Sequence, residues 1–238
     1  MKPLLTIDVL TLFPEMFAGV FQASMISRAQ TKGVVRINLH NLRDFSTDKH
    51  HKVDDKPFGG GPGMVLQVEP IYRALKKLKA LPSKNKSAKP HVVYLSPQGV
   101  KFGHATAARL SSQKRIVLIC GHYEGVDERA MNWIDEEISI GDYVLTGGEI
   151  PAMAVTDAVC RLVPGVVQEK ESVENDSFYS RKLDCSHYTR PAEFMGLKVP
   201  GVLMSGNHGR INEWRMLDSV RNTITKRPDL LRESARVE

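Results

Sequence analysis

The sequence predicts an α/β fold, a mostly parallel sheet covered by helices, with a small helical domain after it. Three observations carry this. Short apolar runs alternate with stretches of helical period. Two of those runs, HVVYL at 91–95 and RIVLIC at 115–120, are apolar almost without interruption, as strands buried on both faces of a parallel sheet are. After residue 163 the alternation stops, and beyond a stretch without clean period a helical pattern appears.

Taken in order, residues 4–10 (LLTIDVL) read as a strand, 14–30 as a helix and 34–39 as a second strand. Residues 70–81 read as a helix with Pro70 in its first turn, where a missing N–H costs nothing. The strand at 91–95 leads to a helix at 102–110 and then to the strand at 115–120. Residues 137–140 and 144–145 are short strand-like pieces, and 151–163 is a helix apolar nearly all round. Residues 164–178 have no clean period. Ile211, Trp214, Leu217, Val220 and Ile224 then align on one side of a helix at 211–225, and 229–237 reads as a last short helix. The expected division is an α/β domain over 1–167, a linker over 168–177 and a helical domain over 178–238.

Composition narrows the class. Of 238 residues, 42% are hydrophobic and 25% charged, which argues against disorder as the main state. No apolar run approaches the roughly 20 residues that span a bilayer, so no membrane partner is expected. The first seventeen residues are interrupted by Asp8, Pro14 and Glu15 and do not read as a signal peptide. Cys120, Cys160 and Cys185 are odd in number and lack CxxC spacing, which argues against disulfides or zinc and fits a cytoplasmic protein. His50, His51, His187 and His208 form no metal-ligand set by spacing.

The net charge is +6, unevenly spread. Residues 71–115 carry eleven Lys or Arg and no acid, and residues 120–176 carry thirteen acids against three bases. Six lysines fall within 76–89 alone, which fits either a solvated loop or a phosphate-attracting block. The last third carries eleven bases against seven acids, interleaved with Tyr188, Phe194, His208 and Trp214. That mixture of cations and aromatics is the better candidate for RNA.

The glycines mark the loops. GGGPG at 59–63 is neither a P-loop, since no Gly-Lys-Ser/Thr follows, nor a dinucleotide fingerprint, which disfavours P-loop kinases and nicotinamide dehydrogenases. Three further glycine-bearing loops follow strands: SPQG at 96–99, GHYEG at 121–125, and GDY with TGGE at 141–149. In an open α/β sheet, ligands bind beyond the carboxyl ends of strands. These loops hold the acids Glu124, Asp142 and Glu149 and few bases, so a pocket there suits a cation or a neutral nucleoside.

The ordered motifs DDKPFGGGPGM, YLSPQG, CGHYEGVDER, SIGDYVLTGGE, NDSF, LDCSHYTRP and LMSGNHGRI closely resemble the bacterial tRNA (guanine-N1)-methyltransferase family, over about residues 4–231. The resemblance implies a deep trefoil knot in the α/β domain, a homodimer, S-adenosylmethionine as methyl donor with reported use of Mg2+, and tRNA as substrate, methylated at N1 of guanosine 37 just 3′ of the anticodon. It assigns cofactor contacts to Tyr94, Leu95, Ser96, Pro97 and Gln98, to Gly121, Tyr123 and Glu124, and to Ser139, Ile140, Gly141, Asp142, Tyr143, Val144, Leu145, Gly147, Gly148 and Pro151. It assigns a general base to Asp176 and an essential cation to Arg161, and it places Ser177, His187, Tyr188, Asn207 and His208 against the RNA. Ser186 departs from the family, which often has Pro there, and the 76–89 segment is longer than usual.

The chemistry asks for those two groups. Guanine N1 is protonated at neutral pH, so a base must remove its proton. A cation near O6 then stabilises the developing charge. Two other readings stay open at this point: an RNA-binding module with a vestigial pocket, and a knotted methyltransferase acting elsewhere on RNA. The joint presence of Asp176, Arg161 and intact glycine loops counts against the first, and NDSF with LDCSHYTRP against the second.

Overall fold

Val, Ile and Leu on alternate sides of successive strands build a sheet buried on both faces. In the computed structural model, which describes residues 2–82, 89–169 and 174–232, that sheet holds β1 (Leu5–Thr11), β2 (Val35–Asn41), β5 (His91–Lys101), β6 (Arg115–Cys120) and β7 (Glu136–Ser139). A two-residue pair, β3 (Asp54–Asp55) with β4 (Val65–Leu66), stands apart from it. All five sheet strands are parallel, in the order β2-β1-β6-β5-β7.

The alternation is visible in the packing. Ile116, Leu118, Val93 and Leu95 face one layer, where they meet Phe17, Phe21, Leu110, Val155 and Val159 from helices. Val117, Ile119, Val92 and Tyr94 face the other, against Ile71, Ala74, Leu75 and Ala130. One carboxylate interrupts this core. Asp8 on β1 is 1% exposed and accepts hydrogen bonds from Asn38 Nδ2 (2.9 Å) and Arg115 Nε (2.7 Å), and it pairs with His40 Nε2 (2.8 Å). Burial pushes its pKa up, but the His40, Arg115 and Asn38 contacts outweigh burial and hold it below the ordinary value.

Several elements differ from the sequence reading. The helix expected over 14–30 is three pieces: a 3-10 turn Pro14–Phe17, α1 (Ala18–Phe21) and α2 (Ser24–Thr31). Phe21 and Ile26 are five residues apart, too far for one helical stripe. The break, with Ser24 at φ 51°, turns both onto the core. Helix α3 (Val68–Lys77) stops before the expected 81, because Lys79 takes a positive φ and Ala80 N–H returns to Leu75 O. Helices α4 (His104–Ser111) and α5 (Glu149–Arg161) lie within two residues of expectation. Yet α5 is not buried all round, since Ile150 and Asp157 are exposed. No strand forms at 144–145, where Val144 is 83% exposed.

Strand β5 runs well past residue 95. Leu95 and Val100 both sit opposite Ile138 of β7, so residues 96–99 loop out of the sheet between them. Gly99 permits this: a Cβ there would lie 2.3 Å from Ile138 N. After β7 the chain returns to the end of β6, where Gly148 N–H donates to Gly121 O (2.8 Å) and Gly147 bridges His122. A Cβ on Gly148 would stand 2.6 Å from Cys120 Cα, so only glycine lets the two backbones approach.

The chain divides into two compact units, Met1–Gln168 and Glu169–Glu238. The second contains the hairpin β8 (Glu193–Phe194) and β9 (Leu197–Lys198), and the helices α6 (His208–Lys226) and α7 (Asp229–Arg232). Helix α6 starts three residues before the expected 211, at the Asn207 cap, whose side chain accepts from Arg210 N. Of its expected apolar side, Leu217 and Ile224 are each 56% exposed, whereas Asp218 and Thr223 are buried. Segment 183–186 packs there through hydrogen bonds: Leu183 N to Thr223 Oγ1, Ser219 Oγ to Leu183 O, and Ser186 N to Asp218 Oδ2. Residues 233–237 of the last expected helix, and much of the 76–89 lysine segment, lie outside the described residues.

Candidate functional site

The outlooping of 96–99 within β5, the turn at 121–125 after β6 and the return at 140–148 after β7 converge on one place. Between them lies a cavity of about 420 Å³. Every residue that the resemblance assigns to the cofactor lines it, with one exception. Asp142 does not; its carboxylate is exposed and pairs with Lys101 Nζ at 2.7 Å. The sequence reading missed His122, Gly125, Val126, Glu128, Met131, Glu137, Ile138 and Thr146, which complete the lining. Four of these, His122, Gly125, Val126 and Glu128, stand inside the CGHYEGVDER motif, and Glu137 and Ile138 are on β7, so adjacency in sequence was the available signal.

The electrostatics follow from which acids reach the cavity. Glu124, Glu128 and Glu137 line it, and among the described residues no Lys or Arg does. Glu149, expected among the pocket acids, lies behind the wall instead. It is 2% exposed at the first turn of α5, where the helix dipole favours a carboxylate, and it accepts a hydrogen bond from Thr11 Oγ1 (2.7 Å). Burial, with the charge of Glu137 adding to it, pushes the Tyr94 hydroxyl up to about 12, so it stays neutral. A Cβ on Gly121 would meet that hydroxyl at 2.8 Å, and one on Gly147 would meet Glu149 Oε2 at 2.4 Å. Glycine at these two wall positions is therefore what the chain's own neighbouring side chains require. Burial also pushes the Cys120 thiol well up, with Glu149 adding to it, which makes it an inert core residue.

The arrangement suits a flat, cationic molecule. Glycine-rich backbone offers N–H and C=O groups without side-chain bulk, and three carboxylates favour positive charge. These features fit S-adenosylmethionine, which carries a sulfonium and an ammonium. They do not fit a nucleotide triphosphate. Magnesium finds no comparable set. Among the described residues the one cluster with metal-ligand spacing is Asp184, Cys185 and His187 in the second unit, and its sulfur does not suit a hard cation.

The remaining expected residues fall on both units. Arg161 is half-buried at the last turn of α5, in the first unit. Asp176 is half-buried in the second unit, and its backbone carbonyl accepts from Tyr179 N. Ser177 Oγ accepts from Asp184 N, and His187 Nε2 pairs with Asp184 Oδ2 at 2.8 Å. His187, Tyr188 and His208 line a second cavity of about 620 Å³ with Arg190 and Arg215, while Asn207 caps α6. Arg190 and Arg215 went unnamed in the sequence reading, although TRP and EWR flank expected residues.

Comparison with known proteins gives these cavities their context. The family model described as tRNA (guanine-1)-methyltransferase TrmD matches residues 5–233. A tRNA (guanine-N(1)-)-methyltransferase of Endomicrobium trichonymphae is 55% identical over 231 residues, covering 95% of this chain and 99% of its own length. Namesakes from Carboxydothermus hydrogenoformans and Dictyoglomus turgidum are 54% and 51% identical, covering 95% and 98% of this chain and 87% and 92% of their own. A match along nearly the whole chain, at identities above one half, means that it belongs to the tRNA (guanine-1)-methyltransferase family.

Proposed function

We propose that the cavity among the loops at 96–99, 121–125 and 140–148 holds S-adenosylmethionine, that Asp176 removes the proton of guanine N1, and that Arg161 stabilises the charge on O6. The activity itself follows from the family: the chain is an enzyme that methylates guanine N1 in tRNA, with S-adenosylmethionine as the donor. Position 37 is the guanosine we assign. The observation that carries the site is the convergence of three glycine loops on one acid-lined cavity.

Bound there, S-adenosylmethionine supplies an electrophilic methyl on a sulfonium. The chain does the rest. Glu124, Glu128 and Glu137 offset the ligand's positive charge, and the backbone of 121, 147 and 148 fixes its orientation. Asp176 takes the N1 proton, and the freed N1 electron pair bonds to the methyl carbon as the carbon–sulfur bond breaks. Arg161, a planar cation, donates to O6 as negative charge gathers there. Alignment of N1, carbon and sulfur contributes several kcal/mol more.

The base and the cavity belong to different units, Glu169–Glu238 and Met1–Gln168. A homodimer, in which one chain's cavity works with its partner's second unit, accommodates that division. A trefoil knot in the first unit is what the family resemblance implies, and it is part of this proposal. A tRNA substrate is consistent with the cytoplasm we propose for the enzyme, and Ser177, His187, Tyr188, Asn207 and His208 are the proposed RNA contacts. Single-turnover methyl transfer to unmodified tRNA tests the roles. Asp176→Asn keeps shape but removes basicity and is expected to slow transfer about 10²–10⁴-fold while S-adenosylmethionine still binds. Arg161→Lys is expected to rescue little. Transfer by Asp176→Asn within threefold of the parent would refute the base.

A further inference from the structure

The GGGPG loop has no part in the cavity lining, yet the structure gives it an unusual setting. It is the tip of the β3–β4 hairpin, whose strands pair Asp54 with Leu66 and Asp55 with Val65. The hairpin is stitched to the cavity wall: Glu124 N–H donates to Met64 O (3.0 Å), Leu66 N–H to Gly125 O (2.9 Å) and Asp127 N–H to Leu66 O (2.9 Å). Gly63, at φ 85°, lies under the Glu124 side chain, where a Cβ would come within 2.5 Å of Oε1. The far end is different. Gly59, Gly60 and Gly61 have φ of 88°, 77° and 117°, and a Cβ on any of them would meet nothing within 4 Å. Crowding within this chain therefore does not demand those three glycines; the turn and an open outer surface do. At that tip Phe58 is 100% exposed, beside the exposed Lys56.

A single exposed apolar side chain is ordinary. A whole phenyl ring held out on three uncrowded glycines, next to a lysine and on a hairpin rooted in the active-site wall, has the makings of a stacking platform. RNA loops present unstacked bases that stack on aromatic rings, while lysine meets the backbone phosphate. We propose that Phe58 stacks against an unpaired nucleobase of the tRNA substrate, with Lys56 on its phosphate, and that the bare glycines let the RNA backbone close on the tip. The inference rests on the tRNA methyltransferase reading.

The test measures affinity for unmodified tRNA, affinity for S-adenosylmethionine, and KM and kcat for Phe58→Ala, Phe58→Leu and Phe58→Tyr. Loss of one stacked base is expected to weaken tRNA binding about tenfold in both the Ala and Leu variants. The loss should fall on KM for tRNA more than on kcat and leave S-adenosylmethionine affinity in place. Tyr, which keeps the ring, should stay within about twofold of the parent. A Phe58→Leu variant with parental tRNA affinity would overturn stacking, because an apolar side chain alone would then suffice. Phe58→Ala with unchanged tRNA affinity but a lower oligomer mass would overturn it too, assigning the ring to a contact between copies of the chain. If the parent protein itself fails to methylate tRNA, the underlying reading has failed rather than this one.

Discussion

The two units hold themselves together by different means. In Met1–Gln168 the sheet is covered on both faces, and Leu5, Val9, Leu75, Val92, Val93 and Val117 are fully buried. In Glu169–Glu238 the buried side chains of α6 are Asp218 and Thr223, and its neighbour is fastened by hydrogen bonds. Met216, Leu217 and Ile224 are more than half exposed on the same helix. The first unit thus draws its stability from area removed from water, at about 25 cal/mol per Å². The second relies on bonds whose net value is about 1 kcal/mol each. A cavity that must hold a small molecule in one geometry needs the rigid kind of packing. The second unit leaves more of its apolar surface uncommitted.

The sharpest way to break the comparison is a matched pair of truncations. Leu118→Ala removes a fully buried side chain from one face of the sheet and is expected to cost about 2–5 kcal/mol in denaturant unfolding. Gly148→Ala comes next. Its methyl would press on Cys120 Cα, so it is expected to cost about 1–3 kcal/mol and, by calorimetry, to weaken S-adenosylmethionine binding at the displaced wall. Thr223→Val leaves the Leu183 N–H without its acceptor and is expected to cost about 1–3 kcal/mol in the second unit. With two tryptophans in the chain, Trp133→Phe leaves Trp214 to report on that unit.

Acid titration reaches both units, since Asp184 and Asp218 in the second are held below the ordinary value as Asp8 is in the first. The Asp8 pKa is lowered in the folded state, so its contribution is present above the unfolded carboxylate value of about 3.9 and is lost as pH falls through the folded value. The first unit is therefore expected to lose stability below about pH 4, and Asp8→Asn to flatten that acid limb. An unchanged limb in circular dichroism melts would remove Asp8 from the account. The smallest effect belongs to Leu217→Ala on the open face of α6, expected within about 0.5 kcal/mol. A loss comparable to that of Leu118→Ala would mean that this face is covered in solution.

Much of the first unit was legible because burial on two faces writes itself as uninterrupted apolar runs. The strand Arg115–Cys120 has the bounds the sequence predicts. The helix over 14–30 was misread because charge and apolar content suggested one element, while the five-residue gap between Phe21 and Ile26 required two. The second unit was less legible. Its helix was found, but its packed side was not, since Asp218, Ser219 and Thr223 look like surface residues until a backbone segment supplies their partners. The cavity was legible through glycine loops and family motifs, and its acids only partly so. Asp142 and Glu149 share those loops, yet one turns to Lys101 and the other to Thr11.

By itself the sequence determined the α/β class, the order of the main sheet strands and their covering helices, and the glycine loops that line the cavity. These are local or periodic properties, set by side-chain alternation, helical spacing and the freedom of glycine. Tertiary structure decided that β5 resumes pairing after residues 96–99, that Gly148 lies against Cys120, and that Glu128 and Glu137 face the cavity while Glu149 backs it. Those outcomes depend on which distant backbones meet. A close approach between residues 28 positions apart, where a Cβ on Gly148 would come within 2.6 Å of Cys120 Cα, leaves only a glycine as its trace, and a glycine does not say what it faces.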